Sequence, residues 1–425
     1  MRNKYDYILI GLLALMAFGM IGGFWQPIRI AQLGLLPWMT YDIMRTRPRV
    51  GKASWGVIGF LGFWWLWAAV SIGWACDLTE SVKYVIHLAI YMLSFGEVIW
   101  LTGKAGKPWQ SLMWGWFIAA AVTVPIALWE YVTDHHLATS VKQCMYIKPT
   151  PTEHMPRPFA TATMNNLNTY NMLLCCTFVM LTLAIQRSRN WWTVAYTALY
   201  ALVIVIVMSN GSRGALMAII IGLIALTLSA EHPKNRVIGG VLLFMVGAWL
   251  GLGIAGKHVP SFLDVWSEET KQEWREKMNL SWDEENAQSA IAGRLQNNGL
   301  EDPSRMALWT ACWEEIRDSH LLGVGAANYP CALEKHPDSL YKAPHNLWLE
   351  VWLQFGIVIL AGFVLMWLWP LIRCWKDKQR RNAYLIVLAV MLPMTIVDST
   401  FILKAYFWML LSSVYVLTSD DRLLD

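Results

Sequence analysis

The chain has 425 residues, 56% of them hydrophobic and only 15% charged, with 26 Trp, 21 Met and a formal net charge of +4. Apolar runs recur at about the 20-residue length that a helix needs to cross a bilayer. That excludes a soluble multidomain protein, and the lack of a basic, aromatic-interleaved soluble module excludes nucleic-acid binding.

In chain order, the first apolar run (5–24) follows Arg2 and Lys4. It is too long for a signal-peptide core and no A-x-A-like cleavage site follows, so it reads as an uncleaved span. About twelve spans are expected, near 5–24, 28–44, 55–75, 81–102, 110–132, 167–186, 191–208, 213–230, 237–255, 346–372, 383–398 and 401–418. The second is short and interrupted by Pro37, and the last two form a tight hairpin. The fold class is all-α, a polytopic membrane protein. Its parts are 1–255 with spans one to nine and an outer loop at 133–166, a large outer loop at 256–345, and 346–425 with the last three spans and a tail.

Charge asymmetry sets the orientation. With the N-terminus inside, the inner segments hold Arg2 and Lys4; Arg45, Arg47, Arg49 and Lys52; Lys104 and Lys107; Arg187 and Arg189; Lys234 and Arg236; then Arg373, Lys376, Lys378, Arg380 and Arg381. The short outer connections are nearly free of Lys and Arg, so both termini are expected in the cytoplasm. Charges should sit at the ends of the spans, with Asp398 and Lys404, close to an outer turn, as the exceptions.

The outer loop at 256–345 is long enough for a small helical cap. Within it, 266–278 suits either an amphipathic helix at the interface or an ordinary solvated helix. A second helix is expected at 304–316, followed by a flexible turn at Gly323, Val324 and Gly325. Of seven cysteines, Cys144, Cys312 and Cys331 fall in outer loops and Cys76 near the outer boundary. An outer disulfide such as Cys312–Cys331 is compatible with an oxidising compartment, although sequence cannot fix connectivity. None of the cysteines has zinc spacing.

Several outer residues could carry chemistry. Arg213 opens a span beside Gly211 and Gly214, where a helix N-terminus and a guanidinium make an anion site; a snorkelling arginine that fixes the helix end is the alternative. Arg305 lies in the cap, either as an anion ligand or as a solvated helix residue. His345 follows Pro344 at the mouth of another span, and its ordinary pKa suits a general base near neutral pH. Asn346 either caps that helix or orients a substrate hydroxyl. Glu350, one and a half turns further in, could orient or charge-balance the site. Arg157 is a further anion ligand, and Asn166 and Asn168 could bind sugar hydroxyls or cap the following helix. Asp134, His135 and His136 lack the spaced partners of a metal site, so no metal is expected.

Four stretches in order, 157–168, 209–215 (SNGSRGA), 304–329 and 343–360 (APHNLWLEVWLQFGIVIL), with a long outer loop before the last, resemble the bacterial O-antigen ligase superfamily. That superfamily also holds O-antigen polymerases and protein O-oligosaccharyltransferases. The resemblance covers the second half of the chain by motif and the rest only as generic membrane helices. It implies a GT-C-like glycosyltransferase of the bacterial inner membrane with a periplasmic active site. The implied donor is an undecaprenyl-pyrophosphate-linked glycan, and the implied acceptor is lipid A–core oligosaccharide or another glycan. No cofactor, metal or nucleotide sugar is implied. By motif position, Arg213 and Arg305 match the family's essential arginines and His345 its essential histidine. Two guanidinium groups suit the charge that grows on a departing pyrophosphate. The compact motif at 344–346 after a cap of about 90 residues favours ligation over polymerisation; glycan transfer to protein is a weaker third reading. A twelve-span transporter, the alternative from another class, would require ionisable groups near mid-membrane.

Overall fold

The computed structural model describes residues 2–46, 52–133, 135–139, 159–187, 192–230, 232–255, 303–336, 343–396 and 401–419, with isolated positions at 268, 269 and 272. Arg157, Asp134, Asp398 and the helix expected at 266–278 lie outside the described residues.

The architecture is all-α and spans the membrane. In chain order the helices are α1 (Lys4–Ala14), α2 (Pro27–Thr46), α3 (Lys52–Val70), α4 (Leu78–Lys104), α5 (Pro108–Thr133), α6 (Leu167–Arg187), α7 (Trp192–Asn210), α8 (Arg213–Ser229) and α9 (Pro233–Ile254). They continue with α10 (Pro303–Asp318), α11 (Tyr329–Leu333), α12 (Leu347–Arg373), α13 (Lys378–Met394) and α14 (Ala405–Ser419). Among the described residues, seven helices are long and apolar enough to cross a bilayer, and α8 and α14 are apolar but shorter. Their ends carry the expected caps: Asn3 accepts from the amides of Tyr5 and Asp6, and Asp77 and Asp377 cap α4 and α13. The centre of the bundle is α6, packed by α5, α7, α8, α13 and α14. Close approach there rests on small residues, as in membrane interiors generally. A Cβ on Gly222 of α8 would lie 2.2 Å from the Phe178 ring, which itself stacks on Tyr200.

Side-chain bonds sort the helix ends into two groups. At one end Asn3 donates to the Lys104 carbonyl, and Asp6 accepts from Gly106, Lys107 and Ser111. The rings of Trp114 and Trp192 meet there at 4.7 Å, with Arg2 over Trp114. Gln186 reaches Ser229, and Leu183, Arg380 and Thr418 line one small cavity. This is the basic end that the charge pattern assigns inside. At the other end Thr163 donates to Ala17, Ser81 to Ala326, and the Leu347 amide to Thr395.

Several expectations need correction. The first span does not run unbroken to residue 24. Helix α1 passes into a 3-10 turn (Leu15–Phe18) and stops at Gly19, where φ is +47°. The chain from 161 to 164 lies against that break: the Met20 amide donates to the Thr163 carbonyl, and a Cβ on Gly19 would sit 2.6 Å from that oxygen. Pro37 does not interrupt α2, which continues through it. The last loop is longer than a tight hairpin, because α13 ends at Met394 and α14 starts at Ala405. Charges are not confined to exposed span ends: Glu97, inside α4, is fully enclosed and faces Gln32, and Arg29, in the first turn of α2, is buried against α4.

The disulfide also differs. Cys331 pairs with Cys76, 255 residues away, and ties α11 to the turn between α3 and α4. Cys312 is a free, buried thiol whose pKa is pushed up to about 12 by desolvation. Removing the bond with Cys331→Ser should cost about 2–4 kcal/mol. Melting of the purified protein with and without reductant checks this, and Cys312→Ser should leave the bond intact by peptide mapping.

The turn at 323–325 is pinned, not flexible. Helix α12 contains a break at Gly356 (φ 80°, ψ 179°), about 13 Å below its first residue at 1.5 Å per residue. The break frees carbonyls that would otherwise lack partners in an apolar layer. The amide of Val324 donates to Leu353, that of Gly325 to Gln354, and the Trp67 indole to Phe355. In return the Ile357 amide donates to Leu321. Two glycines permit this backbone-to-backbone contact: a Cβ on Gly323 would meet the Gly356 nitrogen at 2.6 Å, and one on Gly356 the Leu322 oxygen at 2.5 Å.

Candidate active site

Arg213 is the first residue of α8 and is half-buried. Its position is set by the short link from α7, in which Gly211 takes φ +67°. Asn210 anchors that link. Its Oδ1 accepts from the Ala160 amide at 2.9 Å and from the Tyr131 hydroxyl at 2.5 Å. Its Nδ2 donates to the Ala160 carbonyl at 3.1 Å and to Asn171 at 2.8 Å. One buried amide therefore pairs α7 with the strand-like stretch before α6. That stretch is held from its other side by Glu130, whose Oε2 accepts from the amides of Thr161 and Ala162 at 2.7 Å each. His136 lies 3.5 Å from the second Glu130 oxygen and stacks on Phe159. Asn210→Ala would leave buried backbone groups of Ala160 without their partner, at about 2–3 kcal/mol. Thermal unfolding in detergent checks this, and an unchanged midpoint would contradict it.

Asn166 caps α6 by accepting from the Asn168 amide at 2.7 Å. The cap is thus Asn166, and Asn168 sits inside the first turn. Both side chains are half-buried at the same end of the bundle as Arg213.

His345 precedes α12 in the left-handed region, with φ +49°. For a non-glycine residue this conformation costs about 1–2 kcal/mol and persists only where surroundings enforce it. Here the enforcement is visible. Asn346 caps α12, accepting from Trp348 and Leu349, and so is committed to capping. The Leu347 amide, an orphan donor by its place in the helix, bonds the Thr395 carbonyl at 2.7 Å, and the Trp348 indole bonds the Thr395 hydroxyl at 3.0 Å. On the other side, the Trp309 indole holds the Pro344 carbonyl at 3.1 Å.

Arg305, one turn before Trp309 on α10, donates Nη1 to the Ile396 carbonyl at 2.7 Å. It is half-buried and tethered rather than simply solvated. The turn at 395–396 therefore carries both the Arg305 guanidinium and the helix start beside His345. Helix α13, which ends in that turn, packs along α8. The two run antiparallel, since Ser229 and Arg380 lie at the inner end. Arg213 at the start of α8 thus stands at the same end as the 395–396 turn.

Glu350 is fully buried and turned into the bundle. Gln354 Nε2 lies 3.3 Å from its Oε1 and 2.9 Å from the Tyr84 hydroxyl, while Gln354 Oε1 accepts from the Ala327 amide. Burial raises the Tyr329 hydroxyl pKa, and the neighbouring Glu350 acts in the same direction. Sequence reasoning missed Gln354, Glu130, Tyr131 and Asn171. The available signal was a polar residue one turn from a helix end within an apolar run, which is costly unless it is bonded.

Fold and site together define a polytopic, all-helical membrane protein that gathers arginines and a histidine at one end of its bundle. Residues 197–364, which include Arg213, Arg305 and His345, match the family described as O-antigen ligase. Over that region the chain is similar to the enzymes of that family. It is also similar to the teichuronic acid biosynthesis protein TuaE of Bacillus subtilis (strain 168). The two are 22% identical over 366 residues, which cover 81% of this chain and 67% of that protein.

Proposed function

We propose that the protein is an O-antigen ligase that takes a glycan from undecaprenyl pyrophosphate and joins it to lipid A–core oligosaccharide on the periplasmic face of the inner membrane. The supporting observation is the 395–396 turn. It bonds Arg305 and the helix behind His345, and it ends the helix that lies along α8 and its Arg213. In this reading the two arginines and the α8 N-terminus hold the pyrophosphate, whose charge grows as the glycosyl bond breaks. His345 removes the proton from the acceptor hydroxyl as that oxygen attacks, so the anomeric centre inverts without a covalent enzyme intermediate. No metal takes part. In the same reading Arg157 is a further anion ligand, Asn166 and Asn168 bind sugar hydroxyls, and Glu350 acts from behind through the buried Gln354 and Tyr84 pair.

Polymerisation of lipid-linked repeat units is the second reading, favoured by the likeness to a teichuronic acid biosynthesis protein. A deletion strain separates the two. Lipopolysaccharide without long chains, with lipid-linked polymer accumulating, is the expected result; a single repeat left on the core would establish the polymerase instead.

Arg213→Lys should lose at least about tenfold in transfer, because a point charge cannot reproduce the paired donors of a guanidinium on a phosphate. Transfer by the reconstituted variant is the measurement, and near-normal activity would reduce Arg213 to an electrostatic anchor.

A further inference from the structure

The α2–α4 contact holds a cation that the glycan-transfer site does not use. Arg29, in the first turn of α2, is only 7% exposed. Its Nε and Nη2 donate to the Tyr91 hydroxyl, and its Nη1 to the Phe24 carbonyl at 3.2 Å. Nη1 also lies 3.4 Å from His87 Nε2. The guanidinium sits over the rings of Phe24 and Tyr91, with centroids at 5.7 and 5.1 Å. All these partners are neutral acceptors. Among the described residues no carboxylate lies within 4 Å of Arg29, and Glu97, two turns further along α4, faces Gln32 instead.

A buried guanidinium without a counter-charge is costly in a bilayer and usually marks a task. Arg29 lies in the half of the bundle that the charge pattern assigns outside, because Asp42 and Thr46 at the far end of α2 meet Lys104. The chain from 19 to 25 runs there as turns and a 3-10 turn instead of a full helix. In that stretch Phe24 and Trp25 are 53% and 65% exposed, as interfacial aromatics are. His87 is half-buried, and Lys83, one turn above it on the same face of α4, is exposed and paired with Glu80 at 2.7 Å. Basic groups therefore step from the surface down to Arg29.

We propose that Arg29 and His87 form a second anion site that takes the phosphate of a membrane lipid approaching from the outer leaflet past Phe24 and Trp25. A phosphate oxygen replaces the His87 ring as acceptor for Nη1, and the imidazole then turns a donor toward it. Local thinning of the bilayer lets a headgroup reach this depth. The phosphate comes either from a bulk anionic phospholipid or from a polyprenyl carrier.

The full-length protein in detergent is titrated with phosphatidylglycerol, undecaprenyl phosphate or uncharged diacylglycerol, reading bound lipid by native mass spectrometry and melting by intrinsic fluorescence. Wild type should bind the phosphate lipids and be stabilised by them, and diacylglycerol should do neither. Arg29→Gln should weaken phosphate-lipid binding by about tenfold and lose the lipid-dependent stabilisation while melting no lower without lipid. His87→Gln, at the more open position, should weaken binding less, and it carries the test if Arg29→Gln does not fold. Preference for phosphatidylglycerol identifies bulk lipid as the source, and preference for undecaprenyl phosphate identifies the carrier. Binding by both variants equal to wild type overturns the proposal. So does an Arg29→Gln protein that melts lower without lipid yet responds to lipid as wild type does, which would make Arg29 only a strut between two helices.

Discussion

His345→Ala should lower glycan transfer by about 10²–10⁴-fold, the range contributed by a positioned general base, while the protein still reaches the membrane in normal amount. The expectation rests on how the residue is held. A left-handed backbone at a bulky residue is unfavourable, yet Asn346, Leu347 and Trp309 fix the peptide groups on each side of it. Those bonds come from neighbouring backbone and from Trp309, so they survive truncation to alanine. Loss of transfer would then report the imidazole and not a collapsed helix start. Transfer is measured with reconstituted protein, lipid-linked donor and acceptor, with a chelator present. Full transfer by the alanine protein would remove the general-base role. His345→Gly supplies a stability comparison, because glycine adopts this conformation freely and should melt as high as wild type or higher.

Gly356→Ala should destabilise the protein by about 3 kcal/mol or more, combining the cost of a positive φ with a methyl 2.5 Å from the Leu322 oxygen. The neighbour is backbone and cannot swing aside. Relief requires the 321–325 chain to leave the break in α12, which would strand the carbonyls of Leu353 and Gln354 in an apolar layer. The same chain leads back to α10, so the variant should lose transfer together with stability. Gly59→Ala is the control: a Cβ there meets nothing within 4 Å, and alanine suits a helix better than glycine does. Melting curves of the two variants should separate clearly. A Gly356→Ala protein as stable as the control would mean that the break is not held by this contact.

Much of this architecture is legible in the sequence because bilayer spans are written in long local runs. Apolar length gave the helices, and Asn346 announced its own cap. What escaped notice is decided by distant partners. Gly356 reads as an ordinary glycine in an apolar helix until Gly323 is placed against it. The stop of α1 at Gly19 depends on Thr163, more than a hundred residues later. Cys331 had three outer candidates in sequence, Cys76, Cys144 and Cys312, and only the fold brings Cys76 to it. Arg29 and Glu97 were hidden because they lie in two helices that seem complete on hydropathy alone, and their neighbours Tyr91 and Gln32 come from the opposite helix. In the candidate site Arg213, Arg305 and His345 stand out in the sequence as candidates, whereas their structural supports, Asn210 with Tyr131 and the 395–396 turn, do not. Those supports act through backbone groups of distant segments and through side chains paired across helices, neither of which leaves a local signature.

Donor affinity tests the central claim most directly. Binding of an undecaprenyl-pyrophosphate glycan to purified wild type, Arg213→Ala, Arg305→Ala and His345→Ala should fall by at least about tenfold for each arginine variant and stay at the wild-type level for the histidine variant. Arginine variants that bind the donor as tightly as wild type would contradict a pyrophosphate held between α8 and α10.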